Sequence, residues 1–526
     1  MSLAKALSVA LQGVRGHLVE IEADIGQGLP KVTLVGLPDA SLAEARDRCR
    51  AAVANSALPW PNRRLTIGLS PAELPKKGAH FDLGIALAVL AAAGEIPPRA
   101  VADVVVLGEL ALDGRLRAVP GVLPAVLAAA GEGIDRVIVP EPNADEARLV
   151  SGVEVVGVRS LAQVVAWLCG DPVPDAPPVA PLPRESRLVG SSVERTVGLD
   201  LSDVVGQPEG RRTIEVAAAG GHHVLLDGPP GAGKTMLAER LPGLMPDLDP
   251  DEALEVTAVH SIAGVLPPEI PLITRPPFFD PHHTASAPSI VGGGSRVIRP
   301  GSMSLAHRGV LFMDEAPEFR SDVLEALRQP LESGEIVIGR AEKGSRFPAQ
   351  FVLVLAANPC PCGGLVGKGS RCECPPVTLR RYRERLSGPI RDRIDLHRTV
   401  RPVTARAMRA DLETAEGSAT VAARVASARD RQRARLTDLP WRRNGELPGP
   451  VLRRRFPPAD GALRVVEDAV LNGRLTARGA DRVLRVAWTL ADLAGRDRPD
   501  IDEVSEAFLL RTSGALAGRV EIGQAS

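Results

Sequence analysis

Eight consecutive residues, Gly228, Pro229, Pro230, Gly231, Ala232, Gly233, Lys234 and Thr235, fit the pattern G-x-x-x-x-G-K-[ST]. Glycines at these positions let successive backbone N–H groups turn inward and cradle phosphate oxygens. A helix starting near Lys234 adds the positive end of its dipole. The Lys234 ammonium is placed to reach the β- and γ-phosphates of ATP, and the Thr235 hydroxyl to hold Mg²⁺. Lysine is scarce in this chain: between Lys77 and Lys343 the only one is Lys234.

A second stretch, Gly309-Val-Leu-Phe-Met-Asp-Glu315, reads as an apolar strand ending in two carboxylates. Asp314 is the candidate Mg²⁺ ligand and Glu315 the group that polarises an attacking water. Asn358 ends the next apolar run and is placed to orient that water or sense the γ-phosphate. Arg391 and Arg393, in Ser387-Gly-Pro-Ile-Arg-Asp-Arg-Ile-Asp-Leu396, are candidates to neutralise phosphate charge from a neighbouring subunit. Arg478, Arg482 and Arg485 follow on a helical stretch, where Arg478 and Arg482 stand one turn apart on one face.

Four of the six cysteines, Cys360, Cys362, Cys372 and Cys374, crowd into the stretch 358–376. C-x-C-x₉-C-x-C can supply four thiolates to one tetrahedral Zn²⁺ across a glycine-rich loop. An iron–sulfur cluster and free thiols are the alternatives, and a disulfide is disfavoured in a reducing compartment. The adjacent pairs His222–His223 and His282–His283 lack the i, i+4 helical spacing of a metal pair, so packing or polar roles are expected.

These side chains need a parallel sheet to position them. Short apolar runs at 224–226, 310–313 and 351–356, separated by helical segments, read as buried parallel strands. With 526 residues the chain exceeds one domain. Residues 171–184 carry six prolines in fourteen positions and read as a stiff linker. Ahead of it, strand-like runs (19–25, 31–35, 64–69, 104–107, 136–139) alternate with Ala-rich helical stretches (42–56, 82–93, 120–130), which predicts an α+β module over 1–170. The predicted divisions are this module, a linker over 171–195, an α/β core over 196–400 and a helical lid over 401–526.

The formal net charge is −1, so no global basic signal for nucleic acid exists. Locally, 380–455 holds 20 Arg against 9 Asp and Glu, an excess of +11. No signal peptide is visible and no window reaches the roughly 18 apolar residues of a membrane span. A soluble cytoplasmic protein is expected.

In their order these motifs resemble the AAA+ ATPases, and more closely the magnesium-chelatase-like branch. Pro281-His-His-Thr-Ala-Ser286, Gly292-Gly-Gly-Ser295, Arg299-Pro-Gly301, the 304–319 stretch around Asp314, NPCPCG and SGPIRDRIDLH resemble the ComM/YifB family over essentially the whole chain. The resemblance implies an ATP- and Mg²⁺-dependent ring, a hexamer, with branch-migration helicase activity on DNA in natural transformation. It makes Arg393 the arginine finger and Arg478 a second sensor contacting ATP from the lid. Trp488 departs from the pattern, where arginine is expected in VAxT. The first 170 residues resemble the Lon-protease (S5-like) fold in Gly108–Pro124, Asp135–Pro140 and Pro75–Asp82. Aligned without gaps, His80 stands where the Ser nucleophile belongs and Leu123 where its Lys belongs. Neither side chain can form that dyad, so the module is expected to be proteolytically inactive.

Two segments are candidates to reach DNA in a central pore: 292–301 with Arg296 and Arg299, and a hairpin predicted over 335–340 and 346–355 with Arg340, Lys343 and Arg346. Such contacts would be to phosphate, independent of sequence and salt-sensitive. Aromatic residues make up only 3%, so base stacking is a minor term. The competing functions are a chelatase-type motor subunit or other protein remodeller, an ATP-dependent protease, and a ring-shaped binding scaffold. The Lon-like module speaks against the first because that subunit is usually shorter. His80 and Leu123 speak against the second, and intact Lys234, Asp314 and Glu315 against the third.

Overall fold

The computed structural model describes residues 2–36, 40–76, 78–183, 193–294, 298–339, 344–365 and 371–512. The N-terminal part is built on a seven-stranded mixed sheet in the order Lys31–Val35, Arg64–Ser70, Arg15–Gly26, Ser2–Gln12, Val105–Val106, Arg136–Pro140 and Glu154–Val158. Its centre is antiparallel and its flanks parallel. The central strand Ser2–Gln12 has no counterpart among the predicted strands. Its Ala/Leu-rich sequence favours helix locally, but an eleven-residue ladder to Arg15–Gly26 overrides that preference. The helical stretch expected over 82–93 is observed as Asp82–Ala93, buried against this sheet.

Residues 171–183 form no helix or strand and lie along the module, with Pro174 and Ala176 carbonyls accepting from Gln163 and Arg159. The second sheet has five strands in the order Phe278–Phe279, Val310–Met313, Val352–Ala357, Val224–Asp227, Leu396–Thr399, and every pairing is parallel. Its strands are near-continuous apolar runs because both faces are covered. One apolar core runs from this sheet into Ser418–Arg435, Ala462–Leu471, Ala477–Ala494 and Ile501–Thr512. Trp488 belongs to that core: its Nε1 donates to the Phe456 carbonyl at 2.9 Å and the Arg435 guanidinium lies 4.3 Å from its ring. Arginine is replaced there by packing. The predicted hairpin is shorter than its sequence suggested. Glu335–Ile338 pairs with Ser345–Pro348, and the chain then bends to enter the central strand Val352–Ala357.

Helix Pro250–Ala263 joins the two parts. Ala258 and Leu254 enter the apolar core of the N-terminal module, and Gly121 N–H donates to the Ser261 carbonyl at 3.1 Å. Glu146 seals the joint: it accepts from Leu123 N–H at 2.8 Å and from the Ser261 hydroxyl. Leu123 itself is fully buried.

Asp82, at the start of its helix, accepts from Arg48 at 2.8 and 3.0 Å. Arg48 pulls the carboxyl down, but burial pushes it up more strongly, to about 6. The folded chain therefore binds a proton more tightly than the unfolded chain, and the stability this confers below about pH 4 is lost as pH rises through 6. Two pKa units correspond to about 3 kcal/mol. Chemical denaturation at pH 4 and 6.5 should show Asp82→Asn losing less stability across that interval than wild type; equal slopes would remove Asp82 as the cause.

Candidate nucleotide site and cysteine cluster

The carboxyl ends of three neighbouring strands converge. Val224–Asp227 leads into the 228–235 loop, Val310–Met313 into Asp314, and Val352–Ala357 into Asn358. Gly231 and Gly233 have φ of 74° and 96°, the left-handed region that the turn of the loop requires. Gly228 has no room for a side chain: a Cβ would lie 2.2 Å from the Val400 carbonyl. Lys234 then opens helix Lys234–Leu244.

Lys234 Nζ donates to the Gly228 and Pro229 carbonyls at 2.7 and 3.0 Å and to Asn358 Oδ1 at 3.1 Å. Burial lowers its pKa, and the fields of Asp314, Asp227 and Glu315 oppose that shift. Thr235 Oγ1 donates to Asp314 Oδ2 at 3.0 Å. A hydroxyl and a carboxylate one bond apart are the pair that a magnesium ion bridges when it sits beside a triphosphate. The predicted residues Lys234, Thr235, Asp314 and Asn358 therefore share one site.

Glu315 adopts φ 50°, unusual for a non-glycine residue, and its Oε2 lies 3.2 Å from His283 Nδ1. His283 is thus a site residue that spacing alone did not reveal; its signal was proximity in the fold, across Pro281–Ser286. Gln207 was also missed. Its Nε2 donates to the Ala232 carbonyl at 3.0 Å and the Arg401 carbonyl at 2.6 Å, tying the phosphate loop to the end of the last strand. His222 and His223 have packing and polar roles. His222 Nε2 lies 2.7 Å from Thr489 Oγ1, and His223 Nδ1 accepts from Leu353 N–H at 3.1 Å.

Arg393 ends the helix that precedes strand Leu396–Thr399, so it lies at the amino end of the sheet, opposite the phosphate loop. Crossing a four-residue strand spans about 13 Å. Arg393 bonds the Pro389 carbonyl at 2.7 Å and pairs with Glu332. Burial lowers its pKa, and Arg478, Arg328 and Arg482 add to the effect. The Arg478 charge therefore acts on Arg393, whereas the charges acting on Lys234 are Asp314, Asp227 and Glu315. Arg482 pairs with buried Asp395 at 2.6 Å, and Arg485 is half-buried, its Nε atom buried without a hydrogen bond. Arg391, the other candidate in this segment, lies two residues earlier in the same helix, Gly388–Arg393.

Cys360, Cys362, Cys372 and Cys374 come together, with all four Sγ atoms within 4.8 Å of one another. Cys360 is buried, while Cys362 is exposed. The Gly364 N–H and the neighbouring thiols pull the Cys362 thiol down to about 6.

Of the DNA candidates, Arg299 lies in a short hairpin, Gly292–Gly293 with Arg299–Pro300, and Arg346 in the second hairpin, where it pairs with Glu335 at 3.3 Å. The hairpins touch: a Cβ on Gly292 would lie 2.4 Å from Ile338 Cδ1. Arg296, Arg340 and Lys343 lie outside the described residues. Among the described residues, no helix is long and apolar enough to cross a membrane.

Family comparison matches residues 200–408 to "Magnesium chelatase, subunit ChlI", 21–143 to "Subunit ChlI of Mg-chelatase" and 415–511 to "Magnesium chelatase, subunit ChlI C-terminal". The competence protein ComM of Haemophilus influenzae is 40% identical over 97% of this chain and 97% of its own. The chain belongs to the ComM/YifB magnesium-chelatase-like family. The uncharacterized protein YifB of Escherichia coli is 41% identical over 97% of both chains, and an uncharacterized protein of Mycobacterium tuberculosis is 50% identical over 98% of this chain and all of its own. The magnesium-chelatase 38 kDa subunit of Rhodobacter capsulatus is 29% identical over only 30% of this chain and 49% of its own. Because the N-terminal module also matches a ChlI description, its presence does not by itself separate a ComM-type from a chelatase-type protein. The extent of the match does distinguish them.

His283 holds the carboxylate that would polarise water, and a lost hydrogen bond to a charged group is worth about 1.5–3 kcal/mol. His283→Ala should lower kcat for ATP hydrolysis by about tenfold or more, with nucleotide affinity retained and His283→Asn partly restoring the rate. A kcat equal to wild type would show that the contact is dispensable.

Proposed function

We propose that the protein is an ATP-hydrolysing ring motor that acts on DNA, with ComM-like branch migration as its activity. The observation that carries the reading is the convergence of Lys234, Thr235, Asp314, Glu315 and Asn358 at one edge of the parallel sheet. In this reading the 228–235 loop cradles the phosphates, Thr235 and Asp314 hold Mg²⁺, and Glu315 takes a proton from the attacking water. Asn358 orients that water.

Arg393 lies at the opposite end of the sheet from its own phosphate loop, so its partner is the nucleotide of the next subunit. Arg478, whose charge acts on Arg393, serves the same neighbouring site. This position favours a ring, which we take to be a hexamer, over a monomeric ATPase. Arg299 and Arg346, on touching hairpins, supply phosphate contacts. Four thiolates hold a structural Zn²⁺. His80 and Leu123 leave the N-terminal module without a protease dyad. His80 Nε2 instead lies 3.0 Å from the Val9 carbonyl, a contact that makes it part of the sheet's packing. A chelatase-type remodeller is the second reading, on the 175-residue likeness to the R. capsulatus subunit.

ATP turnover should rise several-fold on adding single-stranded or forked DNA, and a labelled fork should be unwound. Turnover that ignores DNA, with no strand displaced, would favour the remodeller. Lys234→Ala should abolish hydrolysis. Arg393→Ala should lower it by about 10³-fold or more while ATP binding persists; retained hydrolysis would refute the trans-acting role.

A further inference from the structure

The cysteine cluster is joined to the nucleotide loop through Asn358 and through Gly363. Cys360 follows Asn358, which accepts from Lys234, by two residues and is fully buried. Gly363, at φ 72°, donates its N–H to the Cys360 carbonyl at 3.0 Å, and a Cβ there would lie 2.7 Å from Pro230 Cγ. The loop that carries the first cysteine pair thus rests on the second proline of the phosphate loop. Beyond the second pair, helix Pro376–Arg385 presents Tyr382, the chain's only tyrosine, which is buried.

The sulfurs are spaced for an ion. Cys360 and Cys362 are 3.3 Å apart, Cys360 and Cys372 3.6 Å, and Cys362 and Cys372 3.7 Å. Zn–S bonds of about 2.3 Å in a tetrahedron place the sulfurs about 3.8 Å apart. The arms also meet through backbone, since a Cβ on Gly364 would lie 3.2 Å from the Arg371 carbonyl carbon and oxygen.

We propose that metal occupancy of this cluster controls the ATP site: one Zn²⁺-class ion, held by Cys360, Cys362, Cys372 and Cys374, clamps Gly363 against Pro230 and keeps Asn358 at Lys234. This rests on the reading of 228–235 as the ATP loop. The clamp has a direct mechanical basis. Between Asn358 and Pro376 the chain has no helix or strand among the described residues to hold it. Four sulfur–metal bonds supply the rigidity that backbone ladders supply elsewhere, and a metal bound only by the folded arrangement stabilises it by its binding free energy. Without the ion, Gly363 loses its anchor on one side and Pro230 its support.

The test uses the full chain purified without chelator. Elemental analysis should find a single zinc per chain, and Co²⁺ in its place should give the visible bands of a tetrahedral thiolate site. Affinity for a fluorescent ATP analogue is then measured in loaded protein, in protein stripped by chelator, and in Cys372→Ser/Cys374→Ser, with circular dichroism reporting the fold. Stripped and double-variant proteins should bind the analogue about 10- to 100-fold more weakly, with affinity restored to stripped protein by Zn²⁺. Gly363→Leu, which spares every sulfur, should keep its zinc yet lose affinity; this arm decides the matter even if the stripped protein unfolds. Absence of zinc together with failure to take up Co²⁺ would overturn the site. Zinc present, with Gly363→Leu binding the analogue as wild type does, would overturn the coupling. Loaded wild type that fails to bind any ATP analogue would overturn the nucleotide reading instead, leaving the metal site standing.

Discussion

Holding one ammonium out of water organises the central part of this molecule. Lys234 gives up hydration at the start of its helix, and the cost is large enough to lower its pKa despite three nearby carboxylates. Two loop carbonyls and Asn358 replace the lost water. Such a pocket exists only where a loop, a helix start and a neighbouring strand end meet. The strand order dictates that meeting. With Val224–Asp227 beside Val352–Ala357, and Val310–Met313 next, three strand ends place their following residues side by side. Parallel pairing is what puts those ends on one edge. The same geometry sends Arg393, ahead of its strand, to the far edge. A single subunit thus has the cradle at one end of the sheet and a group of arginines at the other, an arrangement that neighbouring copies would complete.

The arginine group adds a second constraint. Burial and the charges of Arg478, Arg328 and Arg482 lower the pKa of Arg393, while Glu332, Asp395 and Glu325 pair with Arg393, Arg482 and Arg328. Asp395, buried between Arg482 and His222, is held well below the usual carboxylate range, chiefly by Arg482, despite an opposing cost of burial. Its charge anchors the helix of Arg478 and Arg482 to the sheet edge.

How much of this was readable from residues alone follows from the range of each interaction. The phosphate loop and the Asp314–Glu315 strand were legible because their chemistry is local: consecutive N–H groups, a helix start, an apolar run ended by charge. The helical character of the C-terminal part was legible, and helix Ala477–Ala494 carries Arg478, Arg482 and Arg485. Ser2–Gln12 was not, because its partner strands, not its own Ala and Leu residues, decide its conformation. The nearness of His283 to Glu315 depends on a path of 32 residues closing in space, and the nearness of Arg478 to Arg393 on one of 85. The contact of Gly363 with Pro230 likewise joins segments that no spacing rule connects. Spacing identified the cysteines, but only folding put them against the nucleotide loop.

Helix Pro250–Ala263 shows how the N-terminal module can matter to that loop. Ser261, on its last turn, bonds buried Glu146, whose carboxyl is pushed up by burial and is served by amide and hydroxyl donors. His260 Nε2, one residue earlier, lies 2.9 Å from the Leu305 carbonyl. Glu255 bonds His307 at 3.2 Å and Arg308 at 3.0 Å, immediately before the strand that ends at Asp314. The buried Glu146, Ser261 and His260 contacts tolerate little displacement, because a broken one leaves a polar group away from water, whereas the Glu255 pairs lie at the surface. Movement of the Asp314 strand would therefore be transmitted through this helix to the module as a body. A module held by such a joint is suited to report or steer what the nucleotide site does.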